Sequence, residues 1–100
     1  MKSIRIERAL KKIGADLKNA RLRRSISTEE MAQRLDTTRQ TLNRIENGKP
    51  GAAMEKYLAA FMIFDKLEEF ENLLENDKTG VFVMENRFLP KRIRKKKNRK

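Results

Sequence analysis

Two short helices in close succession are predicted near the middle of the chain. Ser27 is followed three residues later by Glu30, a capping box that provides hydrogen-bond partners for free amides at a helix start. Thr38 offers a hydroxyl to cap the next helix, which is predicted over about residues 39–47. Gly48 ends that helix because glycine tolerates the left-handed backbone. The sequence therefore predicts two short helices joined by a turn of about three residues.

The second of these helices is apolar on one side only. Leu42 and Ile45 are its large apolar residues, so we expect them to pack inward. Its long polar side chains then face outward, and they are Arg39, Gln40, Asn43 and Arg44. Arginine can donate two hydrogen bonds to guanine, and glutamine or asparagine can pair with adenine, in the major groove of DNA. The alternative interpretation is an ordinary solvated helix face.

An apolar repeat predicts a first helix before this pair. Its members recur at steps of four and three residues, and they are Ile6, Leu10, Ile13, Leu17 and Ala20. The helix is expected to run into Arg23 or Arg24. Gly14 either lies within one long helix or marks a break, and a continuous helix is the favoured interpretation.

Two further amphipathic stretches follow and are predicted to add to the core. The first contains Tyr57, Leu58, Phe61 and Phe64, and the second contains Leu67, Phe70, Leu73 and Leu74. The acidic residues around the second stretch are interpreted as a solvated face, and they are Glu68, Glu69, Glu71 and Glu75. Both stretches are typical of packed helices rather than of a cofactor site.

A short apolar run near the carboxyl end predicts a β-strand. Thr79 and Gly80 precede the β-branched and aromatic residues 81–84. A lone strand leaves backbone groups unpaired, so we expect it to pair with the same strand of a second copy in a homodimer. The alternative is an apolar tail laid over the helical core.

The formal net charge of +11 is distributed unevenly. Residues 65–86 carry two basic and seven acidic side chains, whereas residues 87–100 carry nine basic and no acidic ones. This pattern favours nucleic acid as the partner, with an anionic membrane as the weaker alternative. The basic tail, residues 87–100, cannot bury enough apolar surface to fold alone and is predicted to be disordered.

Several functional classes are excluded by composition. The chain has no cysteine and no histidine, which excludes disulfides, thiolate or imidazole metal sites, and catalysis by either residue. The longest apolar run, residues 57–64, is far shorter than the roughly 20 residues that span a bilayer. We therefore expect a cytoplasmic protein that is not an enzyme and has no metal, cofactor or membrane association.

The segment Thr37–Lys49 resembles the recognition-helix segment of the phage-repressor, or Xre, family of helix-turn-helix proteins. The resemblance covers roughly residues 13–74 and implies an all-α, five-helix, lambda-repressor-like domain that binds double-stranded DNA. The expected organisation is an N-terminal extension at residues 1–12, the helix-turn-helix domain at residues 13–76, a dimerisation strand at residues 77–86 and the basic tail at residues 87–100.

The resemblance also implies roles for individual residues. The positions that face DNA bases are Arg39, Gln40, Thr41, Asn43 and Arg44. The positions that meet phosphates are Thr28, Thr38, Asn47 and Lys49. Arg21 and Glu46 occupy positions where the family commonly has a partly buried ion pair. Two positions depart from the family, since Thr28 replaces a frequent glutamine and Asp36 replaces a common glycine in the turn.

The predicted strand and basic tail together resemble the carboxy-terminal region of HipB-like antitoxins. This second resemblance implies a partner, a HipA-like serine/threonine kinase toxin, and an antitoxin that represses its own operator. Two function classes stay open. One is a homodimeric repressor of a palindromic operator, acting either as such an antitoxin or as a stand-alone phage-type regulator; the other is a basic RNA-binding scaffold. Most aromatic residues fall at predicted core positions, which disfavours RNA binding by base stacking.

Overall fold

The computed structural model describes residues 3–87, which contain six helices and no strand. The helices are α1 (Ile4–Arg23), α2 (Thr28–Arg34), α3 (Arg39–Glu46), α4 (Met54–Ile63), α5 (Leu67–Glu71) and α6 (Lys78–Arg87). A first compact unit ends at Phe70 and a second begins at Glu71. The domain boundaries expected at residues 12 and 76 stay predictions.

Helix α1 is continuous through Gly14, which confirms the prediction of one long helix. The side chain of Ser3 caps its start by accepting a hydrogen bond from the amide of Ile6 at 3.3 Å. Gly14 is buried, and a Cβ added to it would lie only 2.3 Å from the carbonyl oxygen of Ile45. The glycine therefore permits close approach of α1 to the end of α3. Not all of the predicted apolar face is buried, because Ile6 is 63% exposed and Ile13 also lies at the surface.

Helices α2 and α3 begin where the capping signals predict. The hydroxyl of Ser27 accepts from the amide of Glu30 at 3.0 Å, and that of Thr38 accepts from the amide of Thr41 at 3.1 Å. The carboxylate of Glu30 binds Arg34 instead of returning to Ser27, so only one half of the predicted capping box forms.

Helices α1 to α4 end in the same way, with a left-handed residue and a pair of closing hydrogen bonds. After α3, the amide of Gly48 donates to Ile45 at 3.0 Å and that of Lys49 donates to Arg44 at 2.8 Å, which is a Schellman motif. The left-handed residues that close the four helices are Ser25, Asp36, Gly48 and Asp65. Only one of the four is glycine, which explains why the sequence marks the end of α3 more clearly than the others.

The core of the first unit lies between α1, α2, α3 and α4. Its buried apolar residues are Leu17, Ile26, Met31, Ala32, Leu35, Leu42, Ile45, Ala60 and Phe64. The inward face predicted for α3 is therefore confirmed. The prediction of Leu73 and Leu74 as core residues is wrong, because α5 ends at Glu71 and these leucines are 66% and 81% exposed.

The predicted strand at residues 81–84 is also wrong, because these residues belong to α6. The carboxylate of Asp77 accepts from the amide of Gly80, and the amide of Val81 donates to the carbonyl of Asp77, both at 3.0 Å. A helix satisfies its backbone groups within the segment, so no partner strand is needed. The expected sheet between two copies therefore does not form from these residues.

The basic tail lies outside the described residues from position 88 onward. Within residues 3–87 no helix is long and apolar enough to cross a membrane.

Candidate nucleic-acid interface

The turn between α2 and α3 is closed by hydrogen bonds at its start. The amide of Asp36 donates to Gln33 at 3.0 Å, and that of Thr37 donates to Ala32 at 2.9 Å. Asp36 adopts a left-handed φ of 54°, a conformation that glycine, the common residue at this position of the family, adopts more readily. The ammonium group of Lys56 donates to the Asp36 carbonyl at 3.0 Å. Lys56 thus links α4 to the turn between the two helices.

Helix α3 is anchored on one face and open on the other. Leu42 and Ile45 are almost fully buried, and Glu46 is buried with them. On the opposite face, four exposed residues recur at steps of three and four positions, and they are Gln40, Asn43, Arg44 and Asn47. The buried face holds the helix in place, and the exposed face presents amide and guanidinium groups to solvent.

The structure brings Arg21 and Glu46 together in a buried ion pair. Nε of Arg21 donates to Oε2 of Glu46 at 2.8 Å, and Nη2 donates to Oε1 at 3.1 Å. Nη1 donates to the carbonyl of Ile26 at 2.9 Å. The two side chains are only 6% and 4% exposed. This bidentate pair ties the end of α1 to the end of α3.

The five residues predicted to face bases differ in their surroundings. Arg39, Gln40 and Asn43 are exposed, whereas Thr41 is half-buried. Nη2 of Arg44 donates to the carbonyl of Pro50 at 3.0 Å, which orients its side chain along the loop after α3. A guanidinium has five donors, so Arg44 keeps others for a ligand.

The four residues predicted to meet phosphates lie at helix ends. Thr38 donates its hydroxyl proton to the hydroxyl of Thr41 at 3.1 Å, so a phosphate contact from the Thr38 hydroxyl requires this hydrogen bond to break. Thr28 is half-buried and is followed by Glu29 and Glu30, whose charges repel an anion. Asn47 caps the end of α3 and Lys49 follows it, and both are exposed.

The structure adds contacts that the sequence did not indicate. Lys56 and Asp36 are 20 positions apart, and no local pattern links a lysine in α4 to a backbone carbonyl in the turn. The bond from Arg44 to Pro50 has no such signal either. The sequence does contain one local signal for the approach of α1 to α3, because Gly14 lies within the predicted first helix, next to its apolar repeat, and faces the end of α3 in the structure.

The described residues contain no cluster of acidic side chains that could hold a metal ion. Burial raises the pKa of the Tyr57 phenol above its ordinary value, so this group stays neutral at physiological pH. Tyr57 packs against the core rather than lying on the exposed face of α3.

Two short helices joined by a tight turn, the second anchored by its apolar face and exposed on its polar face, define a helix-turn-helix DNA-binding domain. A family model described as a helix-turn-helix domain matches residues 12–62. The chain belongs to this family, within the Xre-like helix-turn-helix superfamily. No curated protein and no solved structure matches it significantly.

Proposed function

We propose that this protein is a sequence-specific transcriptional repressor that inserts α3 into the major groove of its operator. The observation that carries the proposal is the rigid anchoring of α3, whose exposed polar stripe lies directly opposite Leu42, Ile45 and the buried Glu46. A side chain discriminates between bases only when its backbone is held in register with the base edges. The core and the Arg21–Glu46 pair provide that support.

In this proposal each exposed side chain has a chemical role. Arg39 and Arg44 donate to O6 and N7 of guanine, and Gln40 or Asn43 pairs with adenine. Thr41, at the edge of the stripe, offers its methyl group to thymine. Contacts from Thr28, Thr38, Asn47 and Lys49 to phosphates position the helix without reading sequence.

The base-reading role predicts separate effects on specific and non-specific binding. Replacing Arg39, Gln40 or Arg44 with alanine should cost roughly 1 to 3 kcal/mol on the operator and relax the preference at one position. Fluorescence titrations would compare the operator, obtained by selection from random duplexes, with a scrambled duplex. Lys49→Ala is the control, because losing a phosphate contact should weaken binding to both duplexes alike. Equal losses on both duplexes for Gln40→Ala would refute its base-reading role.

We propose that the repressor acts as a homodimer through α6. This helix exposes four consecutive apolar residues, Val81, Phe82, Val83 and Met84, which are about half to two thirds exposed. Exposed apolar side chains are costly to leave in water, and contact with the same helix of a second copy would bury the part of this run that lies on one face, such as Val81 and Met84. A homodimer of a helix-turn-helix protein presents one α3 to each half of a palindromic operator, whose half-sites we expect about one helical turn apart, roughly 34 Å.

The dimer contact is tested by Phe82→Glu in the full chain. We expect this substitution to shift sedimentation at micromolar concentration from dimer to monomer, because a carboxylate cannot be buried unpaired in an apolar contact. Thr79→Glu is the matched control, since it adds the same charge to an exposed position of α6. Deletion of residues 79–100 should have the same effect as Phe82→Glu. An unaltered dimer in both variants would remove α6 from the contact.

A finer proposal is that the repressor is the antitoxin of a HipA-like kinase toxin. Since residues 81–84 are helical, this proposal now depends on the resemblance of the basic tail alone, and residues 88–100 lie outside the described part of the chain. Deleting residues 91–100 separates two roles of the tail. If the tail binds a toxin, the affinity for DNA survives the deletion. A kinase that is encoded by a neighbouring gene and co-expressed with the protein then no longer co-purifies with it. If it touches phosphates, affinity falls for all DNA sequences and the salt dependence becomes less steep.

A further inference from the structure

Helix α1 extends beyond the part of the chain that the family model covers. The match begins at residue 12, whereas α1 begins at Ile4, so its first two turns are additional. These turns carry Arg5, Arg8 and Lys11, all of them exposed. Within residues 3–87, neither Arg8 nor Lys11 forms an ion pair. Arg8 and Lys11 are therefore exposed cations that form no ion pair within the described residues.

The additional turns lie against the loop that follows α3. A Cβ added to Gly48 would lie 2.5 Å from Cα of Lys11 and 2.7 Å from its Cγ, so the backbones touch here. A groove of about 420 Å³ separates the rest of the two segments, and both Lys11 and Lys49 line it. Leu10 is half-buried at the same groove, which holds the extension against the loop rather than leaving it free in solvent.

This arrangement places the extension next to a residue that the proposed function assigns to the DNA backbone. Lys11 lines the same groove as Lys49, and Arg8 lies one helical turn before Lys11. Residues three apart in a helix are separated by about 4.5 Å along its axis. Successive phosphates of one DNA strand rise by roughly 3.4 Å along the axis of the duplex, and the long, flexible side chains of arginine and lysine can adjust to the difference. A helix that carries cations at this spacing can therefore contact successive phosphates of the DNA backbone, outside the bases that α3 contacts.

We propose that Arg8 and Lys11 bind DNA phosphates next to the phosphate contacted by Lys49, and so extend the footprint of the protein outside the bases read by α3. The inference rests on the proposed function, because it needs α3 in the major groove. The phosphate oxygens accept hydrogen bonds from the guanidinium and the ammonium group, and binding releases the counterions condensed on them.

Glu7 is the acidic side chain that opposes this role. It lines the same groove as Lys11 and Lys49, and in residues 3–87 it forms no ion pair with either. Its negative charge repels a phosphate at this position, so neutralising it should strengthen binding. We therefore expect Glu7→Gln to raise the affinity for DNA at low salt, and an unchanged or lower affinity would argue against a phosphate beside the groove.

The double variant Arg8→Ala/Lys11→Ala tests the proposal through the salt dependence of binding. Losing two phosphate contacts should reduce the steepness of log K against log salt concentration by about 2, on the operator and on scrambled DNA alike. The matched control is Arg23→Ala/Lys66→Ala, which removes the same charge from the groove between α1 and α4. We expect this control to keep the slope of the natural protein. Equal slopes for the test variant and the natural protein would overturn the proposal, and so would equal reductions in test and control.

Failure of the inference is distinguishable from failure of the proposed function. If the natural protein prefers a selected duplex and the Arg8→Ala/Lys11→Ala variant keeps both that preference and the salt slope, only the role of the extension is overturned. If the natural protein shows no sequence preference, the proposed function fails and the inference fails with it. Circular dichroism spectra that match those of the natural protein show that the variants are folded.

Discussion

Replacing Glu46 with alanine is expected to destabilise the protein by about 3 kcal/mol or more. The substitution leaves the guanidinium of Arg21 buried without the carboxylate that receives two of its hydrogen bonds. Leaving a buried charge without its partner lowers the free energy of unfolding by far more than an exposed ion pair contributes to it. Because total stability is typically only 5–15 kcal/mol, this loss should lower the urea midpoint markedly. Urea denaturation followed by circular dichroism measures it.

Two comparisons show whether burial of the ion pair is the cause. Glu29→Ala removes an exposed acid from α2 and should change stability by less than about 0.5 kcal/mol. The double variant Arg21→Met/Glu46→Leu removes both charges, and it should recover much of what Glu46→Ala loses because no charge is left unpaired. If Glu46→Ala were as stable as the natural protein, Glu46 would not be paired in a buried site.

Replacing Gly14 with alanine is expected to destabilise the protein by about 1 to 3 kcal/mol. The added Cβ would lie 2.3 Å from the carbonyl oxygen of Ile45 and 2.9 Å from that of Glu46, both backbone atoms that cannot rotate away. Alanine is the better helix former by about 1 kcal/mol, so an isolated α1 would be stabilised by the same change. The two effects have opposite signs, and the clash with α3 should dominate. Thermal unfolding measures the difference.

The control for Gly14→Ala is a substitution to alanine on the solvent side of the same helix. Asn19 is exposed in α1, so Asn19→Ala should leave the stability unchanged or raise it slightly. A stabilised Gly14→Ala variant would mean that α1 does not approach α3 as closely as the structure shows.

The sequence predicted the helix-turn-helix well because its signals are local. Ser27 and Thr38 cap helices within their own first turn, and the apolar spacing of Leu42 and Ile45 marks the inward face of α3. The resemblance also located the turn at Asp36, which has a left-handed φ in the structure. These features depend on neighbours within a few residues along the chain.

Features that depend on tertiary contacts were predicted less well. Residues 81–84 have high β propensity, but a cap from Asp77 and the lack of a paired strand in the described chain make them helical. Ile6 follows the helical repeat yet stays exposed, because periodicity shows which residues share a face and not whether another element covers it.

The sequence predicted which residues belong to the candidate site, but not the hydrogen bonds that join them to other parts of the chain. Gln40 and Asn43 lie on the exposed face that their spacing indicates. The link from Arg44 to Pro50 and that from Lys56 to Asp36 join residues whose proximity only the fold establishes. The hydrogen bond between Thr38 and Thr41 was not predicted either. It occupies the hydroxyl proton of Thr38, which a contact from this hydroxyl to a phosphate would use.

The central claim is that α3 reads DNA bases, and selection from a pool of random duplexes tests it most directly. We predict that the natural protein enriches a two-fold symmetric sequence with half-sites about 10 base pairs apart. The Gln40→Ala variant, selected in parallel, should enrich the same sequence with the preference lost at one position in each half-site. Enrichment of no sequence by the natural protein, or of identical sequences by both proteins, would contradict the account.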